Sequence, residues 1–146
     1  MLKNVPPLLT PDALHALASM GHGDEVAIVD ANFPAARVAA VGVARLVQLA
    51  GADATAVLRA VLAVLPLDDF GPEAAWTMQV VGDAQALPPP VAEFQAALRE
   101  AGERPAAALE RFAFYQRASA AFVILRKRRA PTLRQHPAAQ GRAELT

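Results

Sequence analysis

Short runs of β-branched and aliphatic residues alternate along this chain with segments of helical periodicity, and that alternation limits the possible folds more than any other feature. Val26-Ala27-Ile28-Val29, bracketed by Glu25 and Asp30, reads as a buried strand. Arg45–Leu49, Trp76–Val81 and Ala121–Leu125 read as three more. Between them lie helical patterns. Thr10-Pro11-Asp12 supplies a capping hydroxyl, a proline at the first helical position and a carboxylate at the positive end of the dipole. Leu14, Leu17 and Ala18 follow at helical spacing, with Gly21 as a stop. Asp53 or Thr55 opens a second helix through Val57, Leu58, Val61 and Leu62 to Pro66. Pro88-Pro89-Pro90 precedes a third that carries Val91, Phe94 and Leu98, and Arg111–Tyr115 begins a fourth. The expected fold is therefore α/β, a single domain with helices packed on a mainly parallel central sheet. A length of 146 residues suits one core.

The pattern stops at Leu125. Residues 126–146 show no clean periodicity, and Pro131, Pro137 and Gly141 interrupt them. Charge divides at the same place. Residues 1–125 hold 8 basic and 13 acidic side chains, whereas residues 126–146 hold 6 basic and 1 acidic. The chain reads as a domain over 1–125 followed by an irregular basic tail over 126–146. A basic tail raises the question of nucleic acid, but aromatic residues are not interleaved with its cations, and no nucleic-acid partner is expected. No stretch reaches the roughly 18 apolar residues of a membrane span. The first seven residues hold no apolar signal region, and the chain has no cysteine, so a cytoplasmic address is expected without disulfides or thiolate chemistry.

Few residues stand out for chemistry. His15 falls inside the first helix pattern and reads as a surface residue, and His136 lies in the patternless tail. His22 is set in Met20-Gly21-His22-Gly23-Asp24-Glu25, where glycines permit close approach and positive φ. It either caps the preceding helix or acts as a proton carrier. Asp30 falls at the carboxyl end of the first strand, where open α/β sheets bind ligands, although it could also cap the next turn. Glu25 and Asp30 should lie at opposite strand ends. Arg111 and Tyr115, four residues apart, share a helix face and could hold sugar or carboxylate oxygens, or else Phe112, Phe114 and Tyr115 are simply core. No phosphate loop, His-x-x-x-His pair or Gly-x-Ser-x-Gly is present.

Several blocks together resemble a known family. Leu2–Leu9, Gly21-His22-Gly23-Asp24-Glu25, Asp30-Ala31-Asn32-Phe33-Pro34-Ala35, Leu65–Phe70 and Arg111–Ala118 are similar to the L-fucose mutarotases, which share a superfamily with the D-ribose pyranases. The paired Gly-His-Gly-Asp-Glu and Asp-Ala-Asn-Phe-Pro-Ala blocks favour the fucose branch. The resemblance implies an isomerase that interconverts the α and β anomers of a free monosaccharide, L-fucose first, with D-ribose as the alternative. It also implies a homo-oligomer, often a decamer, working with no metal and no cofactor. By motif match His22 would donate the proton and Tyr115 would be a second acid/base or binding group. Asp30 and Arg111 would hold sugar hydroxyls, with Asp68 a further substrate-binding residue.

After Leu125 the family pattern is missing: a strand ending Ser/Thr-Gly-Glu, a Tyr-Gly-Asn motif and a Lys-Gly-Val end are expected there. A one-base slip of the reading frame accounts for all three. Lys127-Arg128-Arg129 encoded AAG-CGG-CGA before G gives Ser-Gly-Glu when read one base later. Leu133-Arg134-Gln135 can likewise give Tyr-Gly-Asn, and Gln140-Gly141-Arg142 can give Lys-Gly-Val. Without the tyrosine hydroxyl and asparagine amide the chain would be a weakened mutarotase, or a non-catalytic sugar-binding or assembly subunit.

Overall fold

A computed structural model describes residues 2–51, 53–128, 133–135 and 143–145. Its centre is a parallel sheet of order β1-β5-β2, formed by β1 (Val26–Val29), β2 (Arg45–Ala50) and β5 (Val123–Arg128). Strand β5 lies in the middle although it comes last, pairing Val26 with Val123 on one side and Arg45 with Val123 on the other. Alternation along β5 decides what packs on each face. Val123 and Leu125 point to one side and meet Leu9, Ala13, Leu17, Val57 and Val61 of α1 (Pro11–Ser19), α3 (Ala54–Val64) and the segment before α1. Ile124 points to the other and meets Val38 and Ala118 of α2 (Ala35–Val41) and α5 (Arg111–Ser119), with Phe33 and Phe114 packed against them. The result is a sheet covered on both faces by helices, the α/β arrangement expected from the alternation.

Local chemistry explains the helix starts. Thr10 Oγ1 accepts from the Ala13 amide at 3.2 Å, Asp53 Oδ1 from Ala56 at 2.7 Å, and Glu110 from both Phe112 and Ala113. Helix α4 (Pro89–Glu100) begins behind Pro88 and runs beside α3.

Three departures from the sequence pattern matter for the site. The third strand is only Trp76–Met78, and it pairs with β4 (Ala107–Leu109) in a separate two-stranded parallel sheet. Gly82, at φ +83°, closes a turn that bridges Val80 to Asp83 and takes Val80 and Val81 out of the strand. Helix α1 stops at Ser19, before Gly21, with Met20 already extended. Helix α2, β4 and the last strands lack a distinct sequence signal: Ala-rich Ala35–Val41 and Ala107–Leu109 are too short to show a period. In the tail, β6 (Leu133–Gln135) and β7 (Ala143–Leu145) pair antiparallel with each other. Arg129, Pro131, His136, Pro137, Gly141 and Arg142 lie outside the described residues.

Candidate active site

The candidate residues fall into two groups, which sit at opposite ends of β1. The first surrounds His22, in the turn between α1 and β1. The Asp24 carboxylate accepts from the Gly21 amide at 2.7 Å, and Gly23 takes φ +80°, so the turn is fastened at its base while the imidazole projects outward. The His22 side chain is 89% exposed. Its Nδ1 lies 3.7 Å from Asp68 Oδ2, and its ring meets Phe70 edge-on at 5.9 Å between centroids. Asp68 Oδ1 is occupied by the Phe70 amide at 3.1 Å, so Oδ2 is the oxygen that faces the imidazole. The Nε2 atom has no hydrogen-bond partner among the described residues.

The second group lies beyond the carboxyl end of β1. Asp30 Oδ1 accepts from the amides of Asn32 (2.8 Å) and Phe33 (3.1 Å), which fixes the turn into α2. The turn-capping reading of Asp30 therefore holds, and the residue stands just past the carboxyl end of β1, the position on which its ligand reading rests. Arg126, from the end of β5, donates to the Ala31 carbonyl at 3.1 Å and secures the same turn. Phe33 then packs edge-on against Tyr115 at 5.2 Å, and Tyr115 against Phe112 at 6.4 Å. Tyr115 and Phe114 are partly buried, while Phe112 is 65% exposed and so is not core.

Arg111 occupies the first turn of α5, with its guanidinium carbon 4.7 Å from the Phe112 ring centre. Its Nε is buried and has no hydrogen-bond partner among the described residues. A buried guanidinium donor left unmet is uncommon in a folded protein. Arg111 lines a cleft of about 370 Å³ with Val80, Val81, Asp83, Glu110 and Phe112. The cleft is shallow and open to solvent along one side. The turn at Gly82 that shortens β3 supplies one wall, which the strand reading of Trp76–Val81 had hidden; the Gly82-Asp83 pair was its only sequence signal.

Asp30 and Tyr115 each meet Phe33, and Tyr115 and Arg111 each meet Phe112, but neither Asp30 nor Tyr115 lines the cleft beside Arg111; His22 and Asp68 face each other at the other end of the sheet. Strand β1 spans about 13 Å. Among the described residues no hydrogen bond, ion pair or ring contact joins the two groups. His15 is exposed on α1, against Arg45 at 3.1 Å, as a surface residue. No cluster of three or more His, Asp or Glu side chains at metal-binding distance occurs among the described residues, nor is any of their helices long and apolar enough to cross a membrane.

Comparison with known proteins reaches both groups. The human fucose mutarotase is 42% identical over 128 residues, covering 85% of this chain and 82% of the relative. The zebrafish (Danio rerio) fucose mutarotase is 38% identical over 131 residues, covering 86% and 83%. Among solved structures, FucU from Bifidobacterium longum superposes with a TM-score of 0.77 at 36% identity, covering 86% of this chain and 88% of that one. The fucose mutarotase of Streptococcus pneumoniae, solved with L-fucose, gives 0.77 at 30% identity with the same coverage. Residues 3–128 match the profile of the RbsD / FucU transport proteins. On the profile match, the shared fold and these relatives, the chain belongs to the RbsD / FucU transport protein family.

Proposed function

We propose that this chain is a sugar mutarotase that interconverts the α and β anomers of a free monosaccharide, L-fucose foremost. The observation that carries the reading is the 42% identity to a fucose mutarotase over 85% of this chain, beside a fold shared with a fucose mutarotase solved with L-fucose. Ring opening requires one proton delivered to the ring oxygen and one removed from the anomeric hydroxyl. The C1–ring oxygen bond breaks as the C1 carbonyl forms, C1–C2 rotates, and closure on the other face reverses both transfers. His22, exposed and backed by Asp68 at Nδ1, is the donor to the ring oxygen. The Tyr115 phenol is the second acid/base, and Arg111 and Asp30 hold hydroxyls of the sugar.

Because His22 and Arg111 stand at opposite ends of the sheet, we infer that each working site combines His22 and Asp68 of one copy with Asp30, Arg111 and Tyr115 of another. A homo-oligomer is therefore part of the proposal. Exposed apolar side chains support it: Val80, Val81 and Phe112 beside the cleft, and Phe70, 73% exposed, beside His22. A cytoplasmic address is consistent with the cysteine-free sequence.

Saturation-transfer NMR on L-fucose and D-ribose tests the function. Anomeric exchange of L-fucose should exceed the buffer rate, fall to it in His22→Ala, and require at least tenfold more sugar in Arg111→Met. Binding of L-fucose with no acceleration by the unmodified chain would instead identify a sugar-binding subunit. Faster exchange of D-ribose than of L-fucose would reassign the substrate.

A further inference from the structure

The segment that faces His22 has little of its own to hold it in place. Residues 66–73 form neither helix nor strand, Phe70 is 73% exposed, and Asp68 is exposed as well. Yet this segment brings Asp68 Oδ2 to 3.7 Å from the imidazole and sets Phe70 against the ring. Within the segment, Gly71 turns the chain at φ +82°, and Asp68 accepts from Phe70. Only one side chain reaches in from elsewhere with hydrogen bonds among the described residues. Arg104 donates through Nη2 to the Asp68 carbonyl at 2.6 Å and through Nη1 to the Gly71 carbonyl.

The base from which Arg104 reaches is well fixed. It follows the end of α4, where the Ala101 amide bonds to Ala97, Gly102 turns at φ +78° with its amide on Arg99, and Glu103 donates back to the Leu98 carbonyl at 2.9 Å. Two residues later, Gln95 pairs with both backbone groups of Ala106 at 2.9 Å each, which secures the start of β4. A planar fork on a rigid mount, bonded to carbonyls on either side of Phe70, holds a loop at two points.

We propose that Arg104 is a positioning residue for the acid/base pair, acting through the 68–71 loop to hold Asp68 and Phe70 against His22. It touches neither His22 nor the substrate cleft. The inference rests on the mutarotase reading for its effect on rate, but its structural half stands apart from that reading.

Two measurements separate the halves. In the unmodified protein, proton NMR should show a nuclear Overhauser contact between the His22 and Phe70 rings. Arg104→Met should abolish it, and Arg104→Lys, which can still reach one carbonyl, should keep part of it. A contact that survives Arg104→Met at full strength overturns the proposal. For rate, Arg104→Met should lower the saturated anomeric exchange about tenfold with KM within twofold, and Arg104→Lys should recover most of the loss. Adding Arg104→Met to Asp68→Asn should cost nothing further if the clamp acts through Asp68. An equal rise in KM, or additive losses in the double variant, overturns it by showing a general loosening of the fold. Unchanged rate in His22→Ala with the ring contact behaving as expected refutes the mutarotase role of His22 and leaves the clamp in place.

Discussion

Arg117 grips Glu25 across 92 residues, donating from Nε at 2.9 Å and from Nη2 at 2.5 Å, while its guanidinium lies 3.4 Å over the Trp76 ring. The contact joins α5, the residue that precedes β1, and the first residue of β3. It therefore holds together three elements that flank the two side-chain groups. A two-point pair is stronger than a single surface ion pair, but both partners are more than a third exposed, which limits its worth through solvent screening. Adding the ring contact, Arg117→Met should lower unfolding free energy by about 1–2 kcal/mol. Urea denaturation checks this. If the pair matters as such, Glu25→Gln and Arg117→Met together should cost less than the sum of the two alone.

Gly42 ends α2 where it passes closest to α5. A β-carbon there would lie 2.0 Å from the Ser119 carbonyl oxygen, a backbone atom that cannot swing aside. The Val43 amide also bonds to that oxygen at 3.1 Å, so separating the helices to make room breaks a hydrogen bond. Gly42→Ala should destabilise the protein by about 3 kcal/mol, seen as a lowered denaturation midpoint. The displacement would reach Phe33 and Tyr115, which pack across the same α2–α5 contact. Sugar affinity should fall along with stability.

Arg59 of α3 and Glu100 of α4 form an exposed ion pair, and the hydrogen bond from Arg59 holds the Glu100 carboxyl below its ordinary range. A carboxyl lowered on folding stabilises the folded state above the unfolded pKa, and that gain disappears as pH falls through the folded value. Glu100→Gln should therefore be slightly less stable at pH 7 and show a correspondingly shallower loss below about pH 4.3, the ordinary glutamate value, so that the two chains converge in acid. Both side chains are about half exposed, so high salt should narrow the difference.

Much of this fold was legible because its signals are local. Thr10 and Asp53 cap as their residue types predict, and the β-branched runs at 26–29 and 123–125 became the core strands. Asp30 could be placed at a strand end, and Arg111 and Tyr115 on one helix, from spacing alone. Other features depend on distance in space rather than in sequence. Nothing near Arg104 marks it as the clamp on a loop 36 residues earlier, and nothing near Phe112 shows that it lines a cleft instead of the core. The separation of His22 from Arg111 needed the course of β1 and α5 together. Motif matching had placed those residues in one site without saying how many copies build it.

If two copies share each site, two inactive variants can repair one another. His22→Ala lacks the proton donor but keeps the Arg111 cleft, and Arg111→Met has the reverse defect. Unfolded and refolded together, the mixture should recover up to about a quarter of parental exchange, the share of sites at which both intact halves meet by random mixing. Each variant refolded alone should stay at its own low level. No recovery in the mixture, with mixed oligomers present by mass, would place both groups in one copy.

The tail gives the last prediction. The family match ends at residue 128, inside the basic run Arg126–Arg129, and we propose that the residues after Leu125 are read from the neighbouring frame. In that frame Leu133-Arg134-Gln135 becomes Tyr-Gly-Asn, restoring a hydroxyl and an amide suited to sugar oxygens. Each buried hydrogen bond so regained contributes about 1–3 kcal/mol. A chain with the frame restored after Leu125 should therefore show at least tenfold higher exchange efficiency on L-fucose, together with a more acidic isoelectric point. Sequencing the gene is the first check: codons that cannot encode Tyr-Gly-Asn one base later would end the idea. If the codons permit it, equal exchange by the two chains would show instead that the sugar is held without that motif, by Asp30, Arg111 and Tyr115.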